Sequence, residues 1–313
     1  MNTHFPAAGS RRRLTRRYKP FFVWTLLLAM ATAHAQTEIR SLTGVIEGHQ
    51  VGGVTIDMVG NIYVADFGDL VWKITPEGER QVLASGLYGA SGNAIDNEGN
   101  LLQASYYGDS ITKIDRKGQT TLVVTSGLNG PIGVAIDRQT GDIYVANCRG
   151  NSVVKIAVGG TVAAFAQSAL FNCPNGIAFD GKGNLYVVNF RDDRMLKVDP
   201  KGVVTPFATL SQKELPQKGL GHVCFKKDRF YVTAYKSHAI YEVTLQGDVR
   251  RLLGNGVRGM VDGADTSARL SFPNGIACSP WAPRLYINEY LNDSELDLPR
   301  RMTVRVISLA PDK

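Results

Sequence analysis

The sequence predicts an all-β protein: a six-bladed β-propeller of four-stranded antiparallel blades, with an N-terminal strand completing the last blade. Three observations lead there. One pattern of inner strand, tight turn and second strand returns six times, at intervals of 39, 41, 43, 46 and 53 residues. A period near 40 that carries four short strands is the sequence form of a propeller blade. The strand-like runs are short and rich in Val, Ile and Tyr, 33 glycines punctuate them, and no stretch keeps a helical apolar period.

The elements follow in order. Arg11, Arg12, Arg13, Arg16, Arg17 and Lys19 form a basic leader, residues 21–31 an apolar run too short to span a bilayer, and Ala33-His34-Ala35 a small-x-small cleavage pattern. Residues 1–35 are therefore expected to be a cleavable signal peptide. Residues 36–313 are expected to be one propeller domain, periplasmic or secreted, with no stable membrane anchor after cleavage near Ala35. Arginine pairs in the leader leave the export route open. The formal net charge of +7 is misleading, because six of the 35 basic residues lie in the leader and 29 remain against 28 acidic ones. A nearly neutral mature chain gives no electrostatic reason to bind nucleic acid.

Inner strands begin at Gly53, Gly92, Gly133, Gly176, His222 and Gly275, and second strands at Ile62, Leu101, Ile143, Leu185, Phe230 and Leu285. Third strands follow, as at 71–74 and 153–156, and a fourth closes each unit, as at 81–84 and 204–207. The sixth unit ends after its third strand, at 303–308, whereas residues 40–46 form a spare strand ahead of the first unit. That segment is expected to supply the missing strand and leave the ring without an open edge.

Gly176-Ile-Ala-Phe-Asp180, followed by Gly183-Asn-Leu-Tyr-Val-Val-Asn189, resembles the NHL repeat, and the resemblance spans nearly all of residues 44–309. Pro174-Asn175-Gly176 and Pro273-Asn274-Gly275 are also similar to the gluconolactonase and senescence-marker-protein group. That resemblance implies a divalent metal on the propeller axis that polarises a lactone carbonyl. It would be held by a Glu on the first inner strand and Asn or Asp on later ones. Here those positions read Gly52, Ile132 and Gly221; Asn175 agrees and Asn274 is an added candidate, so the lactonase site is not carried over. The related propeller lyases use axial histidines. Of His49, His222 and His238, His222 lies nearest the axis and is the candidate catalytic base or metal ligand.

In a four-stranded meander, the entry into each inner strand and the turn after each second strand share one face, the top. Asp66, Ser105, Asn147, Asn189, Ala234 and Glu289 end the second strands there, each followed by Phe67, Tyr106, Cys148, Phe190, Tyr235 or Tyr290. A polar ring under aromatic walls suits a small-molecule pocket. The expected ligand-binding set is Asp66, Phe67, Ser105, Tyr106, Asn147, Asn189, Phe190, Tyr235, Glu289 and Tyr290. The expected metal set, for one divalent cation such as calcium, is Asp66, Asn175, Asn274 and Glu289. Asp66 and Glu289 would then face each other where blade six meets blade one; alternatively each caps a turn or pairs with Arg300 or Arg301. Insertions at 256–272 and at 291–301, the latter with Asp293, Glu295 and Asp297, are expected to form a lid over blade six.

Cys148 and Cys173 fall on the top face at one blade junction, so a disulfide is expected between them in an oxidising compartment. Cys224 and Cys278 lie inside inner strands and read as small buried apolar residues. The functional expectation is a monomeric exported propeller that binds a small molecule or a protein loop at its top mouth. The alternative is a metal-assisted hydrolase or a lyase acting at the same pocket.

Overall fold

The computed structural model describes residues 36–210, 219–292 and 299–311. It is an all-β ring of six blades, and among the described residues the one helix is a single 3-10 turn, Asp265–Ser267. Blades one to five are four-stranded antiparallel meanders in chain order. Their inner strands are Val54–Ile56, Ala90–Ile95, Pro131–Ile136, Pro174–Phe179 and Leu220–Lys226, and that of blade six is Pro273–Cys278. Each inner strand packs on the next, and the sixth packs on the first, which closes the circle.

The N-terminal segment closes blade six as expected, but as two short strands, Glu38–Ser41 and Ile46–Gly48, rather than one strand over 40–46. Glu38–Ser41 pairs antiparallel with Arg300–Ser308, register Glu38 to Ser308, and Ile46–Gly48 adds to the other end of the same strand. Blade six is not simply four-stranded, however. The insertion expected as a lid instead supplies an outermost strand, Gly263–Ala264, paired with Glu38 and Ile39. Asp293, Glu295 and Asp297 lie outside the described residues, as do residues 1–35, where the leader is expected.

Local chemistry explains the repeat. In the turn between inner and second strands, Asp57 Oδ1 accepts the Val59 and Asn61 amides, and its Oδ2 accepts Asn61 Nδ2 and Tyr63 Oη. Asp96 and Asp180 cap the same turn in blades two and four. Side-chain capping of this kind is why Asp and Asn recur at fixed offsets. On the other face, Asp109 and Asn151 adopt left-handed backbone, φ 46° and 45°. They do more than form turns: Asp109 Oδ1 accepts Gly130 N and Asn151 Oδ1 accepts Cys173 N, latching each blade to the next.

Every inner strand except the first also shifts register near its start, as between Pro131 and Val134 or Leu220 and Val223. The glycines at these shifts form a collar round the axis. A Cβ on Gly92 would lie 2.2 Å from Ile132 O, and one on Gly133 2.1 Å from Asn175 O. Only a residue without a side chain permits that approach. Blade five inverts the order: glycine sits at Gly221, one position early, and the collar position carries His222.

All four cysteines are bonded. Cys148–Cys173 forms as expected, but Cys224 and Cys278 are joined as well, with Cα atoms 5.7 Å apart. In the aligned repeats they stand at successive positions of their strands, opposite in parity. Side chains alternate along a strand, so Cys224 faces blade six and Cys278 faces blade five, across one junction.

Candidate functional site

A cavity of about 370 Å³ opens on the axis at the top face. Its floor is built from inner-strand openings: Gly52, Ser91, Ile132, Asn175, His222 and Asn274. Its wall is built from the residues that follow the second strands. Phe67, Tyr106 and Tyr107 form one aromatic arc, with ring centroids 5.0–6.0 Å apart. Phe190 and Tyr235 form a second arc, 5.9 Å apart, and the Cys148–Cys173 bridge fills the wall beside it. Phe67 and Cys173 hold left-handed backbone, φ 52° and 54°, a conformation uncommon outside glycine. Rigid, over-determined walls of this kind favour a preformed pocket.

The floor is polar and incompletely satisfied. Ser91 Oγ donates to Pro131 O at 2.8 Å, and Asn274 Nδ2 to Val51 O at 2.6 Å. Asn175 Nδ2 donates to Leu220 O at 3.0 Å, while its Oδ1 is buried without a hydrogen-bond partner. His222 is held through its backbone by Thr233, whose Oγ1 accepts the His222 amide at 2.8 Å and donates to Asn274 O. Its ring Nε2 is also buried and unpartnered. Burial holds the imidazole pKa down at about 4, so the ring is neutral at physiological pH. Asn175 Oδ1 and His222 Nε2 are thus two buried polar atoms without protein partners, on neighbouring blades beside the cavity.

Arg191 and Lys236 stand on the rim, each one residue beyond an aromatic. Neither pairs with an acid among the described residues, and no described residue bordering the cavity is acidic. Among the described residues the cavity border therefore carries only positive formal charge.

The sequence-predicted set divides sharply. Phe67, Tyr106, Phe190, Tyr235, Asn175, Asn274 and His222 meet at the cavity; Asp66, Ser105, Asn147, Asn189, Glu289 and Tyr290 do not border it. The second-strand ends alternate with the aromatics that follow, so they point back into their own blades. Asp66 Oδ1 caps the Gly68 and Leu70 amides, and its Oδ2 lies 3.4 Å from His49 Nδ1. Asn147 and Asn189 accept the Asn129 and Asn172 amides. Ser105 is buried at its strand end, and Tyr290 is 2% exposed in the core beside Ile46 and Met302.

Glu289 is buried against Arg305, Oε2 to Nη1 3.0 Å, and its Oε1 accepts the Ser271 amide at 2.8 Å. Burial pushes its pKa up to about 7 against the pull of that guanidinium. Asp66 and Glu289 thus each have separate partners instead of facing each other, and the Glu289 partner is Arg305, not Arg300 or Arg301. The expected metal set is not assembled. Gly52, Ile132 and Gly221 offer no side-chain donor atom, and two amides and one imidazole without a carboxylate are a poor site for a hard divalent cation. No cluster of three or more His, Cys, Asp or Glu side chains suited to a metal occurs among the described residues.

Residues 128–156 match the family model of the NHL repeat. No curated protein sequence matches the chain. Among solved structures, a gluconolactonase from Xanthomonas campestris is similar at TM-score 0.64 and 16% identity, over 88% of this chain and 93% of that one. A catalytically inactive virginiamycin B lyase from Staphylococcus aureus, solved with quinupristin, is similar at TM-score 0.61 and 13% identity, over 88% and 100%. An auxiliary nutrient binding protein from Bacteroides ovatus is similar at TM-score 0.71 and 16% identity, over 89% and 77%. At these identities the likeness is one of fold, shared by a lactonase, a lyase and a binding protein.

Proposed function

We propose that this chain is an exported binding propeller whose top cavity holds a small, anionic, ring-bearing ligand. One observation carries the reading: among the described residues, two rim cations with no acidic partner stand over a floor of neutral donors and acceptors, and no acid borders the cavity. An acidic group on the ligand meets Arg191 and Lys236, its ring lies against the aromatic arcs, and a hydroxyl group donates to Asn175 Oδ1 while a hydroxyl or carbonyl group pairs with His222 Nε2. Catalysis at the same floor is the weaker reading. With a pKa near 4, His222 is a good neutral hydrogen-bonding group and a poor general base at pH 7.

The test uses protein recovered from the periplasm, whose intact mass should start near Gln36. Thermal melting is followed against matched panels of small acids, their neutral amides, and amines, including sugar acids and aromatic acids. Acids should raise the melting temperature and amines should not, since a ligand that binds only the folded state stabilises it. Arg191→Ala/Lys236→Ala should weaken acid binding by about tenfold or more. Equal response to acids and amines would exclude the electropositive site, and conversion of the bound acid to product would move the assignment to an enzyme.

A further inference from the structure

A second groove, about 220 Å³, leaves the central cavity between blades one and two and shares Gln50, Phe67 and Tyr107 with it. Its outer end is formed by Tyr88, which is 69% exposed. Tyr88 and Tyr107 are 5.5 Å apart by ring centroid, and Tyr107 continues through Tyr106 and Phe67 into the cavity wall. A chain of contacting aromatic rings, tilted and edge-to-face, thus runs from the cavity wall to the solvent. Large aromatics this exposed, side by side at the mouth of a cavity, are rarely incidental. Polar groups border the row: His49, Asp69 and Arg300 all line the groove.

We infer that this groove is a further subsite, and that the ligand of the whole site is an acidic oligosaccharide rather than a single small acid. The inference rests on the proposed electropositive cavity for its acidic end and on the groove for its length. A purely apolar ligand would desolvate His49, Asp69 and Arg300 without replacing their water. An extended polar chain without rings would leave the tyrosine faces uncovered. A pyranose ring satisfies both, because its C–H face lies on an aromatic ring while its hydroxyls reach the bordering polar groups. Successive sugars then carry the chain from the cavity floor out past Tyr88.

The experiment is titration calorimetry of the full mature protein with galacturonate and its linear tri- and pentamer. Wild type should bind the pentamer about tenfold more tightly than the monomer, the gain expected from one added aromatic stack. Tyr88→Ala should remove that gain and leave monomer affinity unchanged; Tyr88→Phe should keep it. Tyr88 borders only the groove and is exposed, so neither substitution threatens the fold. Equal affinity for monomer and pentamer, survival of the gain in Tyr88→Ala, or no binding of any uronate would each overturn the inference. The cavity reading is judged separately: binding of any small acid that is lost in Arg191→Ala/Lys236→Ala leaves it standing even when chain length adds nothing.

Discussion

Deleting residues 36–46 from the mature chain should abolish the folded monomer. Glu38–Ser41 lies between Arg300–Ser308 and Gly263–Ala264, so its loss bares the third strand of blade six along its whole outer edge. It also empties two core positions, Ile39 at 2% and Ile46 at 1% exposure, which belong to the clusters on the two faces of blade six. Removing a buried isoleucine side chain costs about 2–5 kcal/mol. Two such losses, with the strand's hydrogen bonds, approach the roughly 5–15 kcal/mol by which domains are commonly stable. The exposed edge then promotes strand-to-strand association. Size-exclusion chromatography and circular dichroism should find aggregates or an unfolded chain. A monomer with the wild-type melting temperature would remove the strand from the closure.

Arg305→Ala should be the most damaging single substitution at that closure, costing about 3–5 kcal/mol. Arg305 is fully buried and ties the second strand of blade six to the inserted segment 261–269. Its Nη1 donates to Glu289 Oε2 and Arg269 O, and its Nη2 to Val261 O and Asp262 Oδ1. Asp262 in turn accepts the Ser41 amide of the N-terminal strand. Truncation leaves Glu289 buried without its cation, whereas the double variant Arg305→Met/Glu289→Gln, which removes both charges, should recover part of the loss. The pH dependence has a defined sign. The pKa of Glu289 rises from 4.5 to about 7 on folding, so its protonation stabilises the fold below 4.5 and that contribution is lost as pH rises through 7. Relative to Glu289→Gln, wild type should therefore lose stability between pH 4.5 and 7, as followed by chemical denaturation at several pH values. A flat difference would mean that Glu289 stays ionised throughout.

The ring and its closure were legible because six weak motifs agree on one period, and because a missing strand at one end matched a spare one at the other. The aromatic wall was legible for the same reason: Phe67, Tyr106, Phe190 and Tyr235 stand at one position of the repeat. What failed was direction. Asp66 and Glu289 precede that position by one residue, and the pleat turns them into their blades, so the charges that looked like a cation site are a turn cap and a buried ion pair. The same alternation hid the second disulfide, which the opposite parity of Cys224 and Cys278 would have disclosed. Arg191 and Lys236 follow the aromatics by one residue and define the sign of the cavity; aligning one column further would have found them. His222 stood in view as the one side chain in a column of glycines. The path of the insertion through Gly263–Ala264 was not legible, because its partner Glu38–Ser41 is more than two hundred residues away in sequence and no repeat position predicts the pairing.

In the proposed function, a ligand pairs with the buried, unpartnered Nε2 of His222. The most direct measurement is nitrogen-detected NMR of the histidine rings across pH, with and without the tightest-binding acid. The His222 ring should stay neutral down to about pH 4, because burial depresses its pKa from 6.5. Its Nε2 resonance should shift on saturation with the acid, when that atom gains its missing partner. A His222 ring that titrates near 6.5, or an Nε2 signal unmoved by a saturating acid, would contradict the account.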